Sequence, residues 1–190
     1  MPDPEQVRHR LLDAGARAGF RGLMVDRRYD RGGAMLVRDE VLRLREFHSE
    51  DGRVETRLSW KGPTEITPEG YKSRKELEYG MRCPDGEGGP ALLDALGFEE
   101  IQRIERYIEY YRMGSADVRL EWYPRMDVLV EVEGDPAGIE AALGAMGLPR
   151  EAYSAEPLPI FAARFAERTG IPPALCLGAL GEESPSWEAR

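Results

Sequence analysis

The chain has 190 residues, with 26 lysines and arginines against 35 aspartates and glutamates, and a net charge of −9. That length suits a single domain of roughly 100–200 residues, which buries about 70% of its unfolded surface and needs no disulfide or metal staple. A charged share of 32% beside a hydrophobic share of 42% excludes a disordered chain, and the acidic balance argues against nucleic acid or a membrane surface as partner.

The first residues carry neither the basic region nor the apolar stretch of a secretory signal. No run approaches the ~18–20 apolar residues of a membrane helix. Cys83 and Cys176 form no CxxC pair, which suits a reducing cytoplasm, and each reads as a small structural hydrophobe. Only Lys61, Lys72 and Lys75 are lysines, which leaves 23 arginines.

Pro4, with Asp3 as N-cap, opens a helix along Val7, Leu11, Leu12 and Ala14. After the glycine turn Arg31-Gly32-Gly33 the period changes to two. Val41–Phe47 and Arg53–Lys61 read as strands joined by a tight turn at Asp51-Gly52. Lys72–Gly80 reads as a third strand, Pro84–Pro90 as a Gly-rich loop and Ala91–Leu96 as a short helix. Strands follow at Ile101–Arg112, Asp117–Tyr123 and Met126–Glu133. Helices are expected from Pro136 and over Leu158–Arg168. The polar end, Gly181–Arg190, is expected to fray. The chain is therefore α+β with six recognisable strands. Phosphate-loop and dinucleotide fingerprints are missing from the sequence, and two histidines, His9 and His48, make histidine-based metal or triad chemistry improbable.

Strand alternation sorts the side chains. Leu42, Leu44, Val54, Leu58, Trp60, Val128, Val130 and Val132 can pack beneath helices. The opposite set is charged and segregated: Arg43, Arg45, Arg57, Lys61 and Arg74 come early, Glu121, Glu131 and Glu133 late, with Glu76 and Glu78 between. A solvated sheet face is the plain explanation of such alternation. Against it, Glu76-x-Glu78 and Glu131-x-Glu133 each set two carboxylates roughly 7 Å apart on one face. Hard divalent cations take such oxygens, and Mg²⁺ often shares them with phosphates.

At these residues the sequence resembles the CYTH superfamily, the triphosphate tunnel metalloenzymes that include class IV adenylate cyclases and thiamine triphosphatases. Leu42-Arg43-Leu44-Arg45, Leu58-Ser59-Trp60-Lys61-Gly62-Pro63, Arg74-Lys75-Glu76-Leu77-Glu78 and Glu131-Val132-Glu133-Gly134 match its motifs in order. The resemblance implies an antiparallel eight-stranded β-barrel with flanking helices, whose tunnel binds a triphosphate, over residues 1–170. Residues 171–190 form a short C-terminal segment and frayed tail.

It further implies that Arg43, Arg45, Arg57, Lys61, Arg74 and Arg106 contact the substrate, with Lys61 and Arg106 catalytic. Glu76, Glu78, Glu121, Glu131 and Glu133 would hold Mg²⁺ or Mn²⁺. The substrate would be ATP, thiamine triphosphate or inorganic triphosphate. It would be attacked by a metal-positioned water in a phosphohydrolase or by its own ribose hydroxyl in a cyclase; a catalytically impaired triphosphate-binding protein is the alternative. Oligomeric state is not legible in the chain.

Three positions depart from the pattern. The opening Glu-x-Glu-x-Lys strand does not occur, Ile108 replaces a basic residue, and Glu121 replaces an aspartate. The first departure leads to the expectation that the start codon is assigned too far downstream. Reading the upstream DNA in frame tests it: a Glu-x-Glu-x-Lys strand is expected there, and a stop codon directly before Met1 overturns the expectation.

Overall fold

The computed structural model describes residues 3–68, 70–81 and 88–189. Cys83 and the start of the Gly-rich loop expected over Pro84–Pro90 lie outside the described residues. The architecture is α+β, with a large antiparallel sheet and flanking helices, as the alternation predicts. In chain order the elements are α1 (Pro4–Asp13), β1 (Arg17–Asp30), α2 (Ala34–Val37), β2 (Val41–Ser49), β3 (Val54–Lys61), β4 (Glu65–Ile66), β5 (Lys72–Ser73) and β6 (Glu76–Met81). They continue with α3 (Gly88–Ala95), β7 (Glu99–Met113), β8 (Ala116–Trp122), β9 (Leu129–Glu133), α4 (Pro136–Met146) and α5 (Leu158–Thr169). The main sheet has the order β6-β3-β2-β1-β7-β8-β9, seven strands where the resemblance implies eight; β4 and β5 pair separately.

The chain divides into two compact units, Met1–Gly22 with Arg106–Arg190, and Leu23–Glu105. In the first, α1 starts as the sequence predicts: Pro4 stands in its first turn and the Asp3 carboxylate accepts the Glu5 N–H at 3.0 Å. Helix α4 repeats the device, with Asp135 accepting the Gly138 N–H at 2.7 Å. Val7 and Leu11 of α1 join Ala142, Leu143 and Met146 of α4. Together they cover Tyr107, Tyr111, Val118, Leu120 and Trp122 of β7 and β8. Val128, Val130 and Val132 pack on the same core, as their spacing predicts.

Residues 183–187, in the stretch expected to fray, make contacts with the rest of the first unit. Ser186 bonds the Pro124 and Tyr123 carbonyls at 2.9 and 2.6 Å, Glu183 pairs with Arg125 at 2.7 Å, and Trp187 packs on the core. One large aromatic in a polar tail supplies the anchor that composition averages away.

In the second unit, Tyr29, Leu44 and Leu93 form a small core with Leu42, Leu58, Met81 and Phe98 against it. Val54, expected in the apolar set, is instead 52% exposed. The strand expected over Lys72–Gly80 is broken at Arg74-Lys75: β5 pairs with β4, and β6 pairs with β3. The strand β1 has no counterpart among the six expected. Gly19 and Gly22 interrupt its alternation, and Gly19 is needed for close approach, since a Cβ there would stand 2.6 Å from the Tyr110 ring. Among the described residues no helix is long and apolar enough to cross a membrane.

Leu11 is fully buried, so Leu11→Ala removes its packing and leaves a void. The expected loss is ~2–5 kcal/mol of unfolding free energy, read by urea denaturation. A loss under about 1 kcal/mol would show that the α1 contact is not part of the cooperative core.

Candidate functional site

The ladders decide which charges share a face, because directly paired residues of antiparallel strands point the same way. In the second unit Arg43 pairs with Ser59, Arg45 with Arg57 and Val41 with Lys61. Ser59 in turn pairs with Glu78, and Lys61 with Glu76. Arg43, Arg45, Arg57, Lys61, Glu76 and Glu78 therefore lie on one face of the β2, β3 and β6 ladder.

Each cation there has a counter-charge. Lys61 Nζ is 2.6 Å from Glu76 Oε1, and Arg57 Nη1 is 3.0 Å from Glu78 Oε1. Arg45 grips the buried Asp26 through Nε and Nη2 at 2.6 and 3.3 Å, and Arg43 approaches the same carboxylate at 3.8 Å. The Arg57 guanidinium also lies over the Phe47 ring at 4.9 Å. Arg74 stands apart in the break between β5 and β6, bonded to Thr64 and to Asp39 Oδ1 at 2.8 Å. Asp39 adopts a left-handed φ of 53° and accepts the Thr64 N–H at 2.7 Å. The Thr64 bonds and Arg74 hold its carboxyl below the usual range.

The first unit holds the remaining expected residues. Glu121 and Arg106 are buried, with Arg106 Nε 3.1 Å from Glu121 Oε1. Tyr123 donates its hydroxyl to Glu121 Oε2 at 2.6 Å. Arg119 pairs with Glu131 in the β8–β9 ladder, and its guanidinium reaches three carboxylates: Glu131 at 2.5 Å, Glu133 at 3.2 Å and Glu121 at 3.4 Å. Burial pushes the Glu121 carboxyl above its usual value, Glu131 adds to that rise, and Arg106 and Arg119 offset part of it. The partial burial of Glu131, which is 44% exposed by its side chain, acts in the same sense, but Arg119 and Arg106 outweigh it and hold that carboxyl well below the usual range.

Several partners are not marked by the sequence pattern, Asp26 and Arg119 among them. Asp26 sits in the unrecognised strand β1, so nothing in the alternation pointed to it. Arg119 belongs to a recognised strand and stands two residues before Glu121 on the same face, which was the available signal. On the opposite, core-facing side of β7, Glu109 is buried and receives Arg8 of α1 through Nε and Nη2 at 2.9 and 2.8 Å, with the Tyr111 hydroxyl at 3.0 Å. Burial and Glu109 push that hydroxyl up to about 12.

The carboxylates expected to hold a divalent ion do not fit a resident metal as arranged. Glu76 and Glu78 are each taken by a cation of β3, and the late trio is taken by Arg119. No cluster of three or more carboxylate, imidazole or thiolate donors suited to a metal ion occurs among the described residues.

Removing one partner of a buried ion pair strands the other charge. Arg106→Met is expected to cost ~3–5 kcal/mol in urea unfolding, and distinctly less in a Glu121→Gln background, because the stranded carboxylate is then neutral. Equal costs in both backgrounds would show that the pair is not coupled.

No family model matches the chain, and no curated protein matches it. Solved structures do resemble it. A protein of Vibrio parahaemolyticus described as a candidate adenylate cyclase superposes with a TM-score of 0.68 at 14% identity, over 86% of this chain and 93% of its own. The PH1819 protein of Pyrococcus horikoshii gives 0.64 at 21% identity, over 82% and 90%. HpAC1 of Hippeastrum, an adenylyl cyclase candidate described as having a dominant triphosphatase activity, gives 0.59 at 16% identity, over 86% and 92%. The chain has the fold that these solved structures share.

Proposed function

We propose that this is a CYTH-type, cytoplasmic enzyme. It takes a triphosphate (ATP, thiamine triphosphate or inorganic triphosphate), delivered as its Mg²⁺ or Mn²⁺ complex, and either hydrolyses or cyclises it. The observation that carries the reading is the placement of Arg43, Arg45, Arg57 and Lys61 on one ladder face. The descriptions of the Vibrio and Hippeastrum proteins accord with it.

Phosphoryl and nucleotidyl transfer ask a protein mainly for positioning and charge neutralisation. Arginine forks bind phosphate oxygens in two-point contacts, and charge-assisted bonds of this kind are about twice as strong as neutral ones. The pairs Lys61–Glu76 and Arg57–Glu78 involve carboxylates that are 51% and 45% exposed. Exposed pairs contribute only ~0–1 kcal/mol each, so phosphate oxygens can displace them. The freed Glu76 and Glu78 are hard oxygen donors, suited to the ion that travels with the phosphates. Arg74 reaches phosphate by releasing Asp39. Arg106, committed to Glu121, holds the buried charges of its own unit in place.

One observation favours the alternative of a triphosphate-binding protein impaired in catalysis. Ile108, where the resemblance has a basic residue, is 1% exposed and pairs with Glu121 in the β7–β8 ladder. An apolar side chain there adds no positive charge to the carboxylate beside it.

Calorimetry and turnover assays with each of the three triphosphates, in Mg²⁺ or Mn²⁺, test the reading. One saturable site with product release is expected, and Lys61→Ala or Arg43→Ala should weaken binding about tenfold or more. Binding without turnover selects the impaired protein. If none of the three binds, both readings fall.

A further inference from the structure

The residue that distinguishes the late carboxylate cluster is the arginine within it. Arg119 is 12% exposed by its side chain, and its nitrogens span Glu121, Glu131 and Glu133. Burial would lower its tendency to hold a proton, but the three carboxylates outweigh burial and keep it charged. A guanidinium cannot be neutralised at any ordinary pH, so this positive charge is permanent. We propose that Arg119 is a built-in cation that occupies the carboxylate cluster in place of a metal ion, closing it to Mg²⁺ and Mn²⁺ in the natural protein, so that truncating its side chain opens a divalent-cation site.

Three observations carry this. The first is convergence: three carboxylates from β8 and β9 approach one cation within 2.5–3.4 Å. Without that cation they would repel, since Glu131 and Glu133 share a strand face and Glu121 lies beside them. The second is unused acceptor capacity. Glu121 Oε1 is buried and accepts no hydrogen bond, although Arg106 and Arg119 stand 3.1 and 3.4 Å away as charges. The third is freedom to rearrange. Glu131 and Glu133 are 44% and 46% exposed by their side chains, so their ends can swing inward onto an ion smaller than a guanidinium. A hard divalent ion takes carboxylate oxygens readily, and the mutual repulsion of three converging carboxylates supplies the drive.

The inference rests on geometry within one unit and does not need the triphosphate reading. If it holds, any metal at the reaction arrives with the substrate. The test uses metal alone, so that its failure and that of the triphosphate reading are distinguishable. Mn²⁺ is titrated into the natural protein, Arg119→Gln and Arg119→Lys, with the free-ion electron spin resonance signal as readout and thermal melting in Mg²⁺ or Mn²⁺ beside it. The natural protein and Arg119→Lys should bind no Mn²⁺ at this cluster. Arg119→Gln should bind one ion per chain, with affinity lowered about tenfold or more by adding Glu131→Gln. Should Arg119→Gln fail to fold in chelator, recovery of cooperative melting by Mn²⁺ supports the inference and no recovery overturns it. A folded Arg119→Gln that binds no Mn²⁺ overturns it as well. So does a Mn²⁺ site in the natural protein that Glu131→Gln removes.

Discussion

Charges two residues apart on a strand stand roughly 7 Å apart on one face, and a face that carries several must find counter-charges on the neighbouring strand. That constraint organises both units. In one, Lys61 and Arg57 of β3 meet Glu76 and Glu78 of β6, while Arg45 and Arg43 of β2 meet Asp26 of β1. In the other, Glu131 and Glu133 of β9 meet Arg119 of β8, and Glu121 meets Arg106 of β7. The strand order and the charge pattern thus depend on each other. A one-residue slip of β9 against β8 would carry both glutamates to the core side and leave Arg119 unpaired.

The pairs are not equivalent, and burial ranks them. Exposed pairs are weak and exchangeable; a buried pair broken on one side leaves a charge that costs several kcal/mol. Glu76 and Glu78 belong to the first kind, whereas Glu121 with Arg106, and Asp26 with Arg45, belong to the second. On the proposed reading a ligand rich in negative charge would compete at the β3–β6 edge of the face, where the pairs are the more exposed. The same ranking explains why α1 is tied to β7 by Arg8 and Glu109. A carboxylate on the apolar side of a strand is tolerated only with a two-point guanidinium and a tyrosine hydroxyl to satisfy it.

What was legible in the sequence follows from which signals are periodic. The strands β2, β3, β8 and β9 are readable because apolar and charged residues alternate along them, and register then places the expected charges of β2, β3 and β6 on one face. Strand β1 was not readable: Gly19 and Gly22 break its pattern, and the close approach to Tyr110 that requires Gly19 is a tertiary fact. The break at Arg74-Lys75 was hidden for a similar reason, since Arg74 is drawn to Asp39 and Thr64 by groups distant in sequence. The partners of the charges were the least legible part. Alternation says which side a glutamate faces, and says nothing of whether a metal or an arginine waits there. The sequence pattern puts Arg119 on the right face, but only the distances show it gathering three carboxylates.

The excess of arginine over lysine now has a physical reason. Arg8 and Arg45 each use two nitrogens on two oxygens of one carboxylate, and Arg119 divides its nitrogens among three. A lysine offers one compact charge and cannot match the two-point contact. The net charge of −9 is likewise a poor guide to what the protein attracts, because at physiological salt charges beyond about 8 Å are largely screened. What an incoming anion meets on the β2–β3–β6 face is a nearly balanced set, with carboxylates on the exposed edge and guanidinium groups behind them. Such a face has little long-range pull. Under the proposed function it turns cationic only when Glu76 and Glu78 are displaced, so its selectivity would lie in replacing bonds already made, by a ligand that offers several oxygens at once.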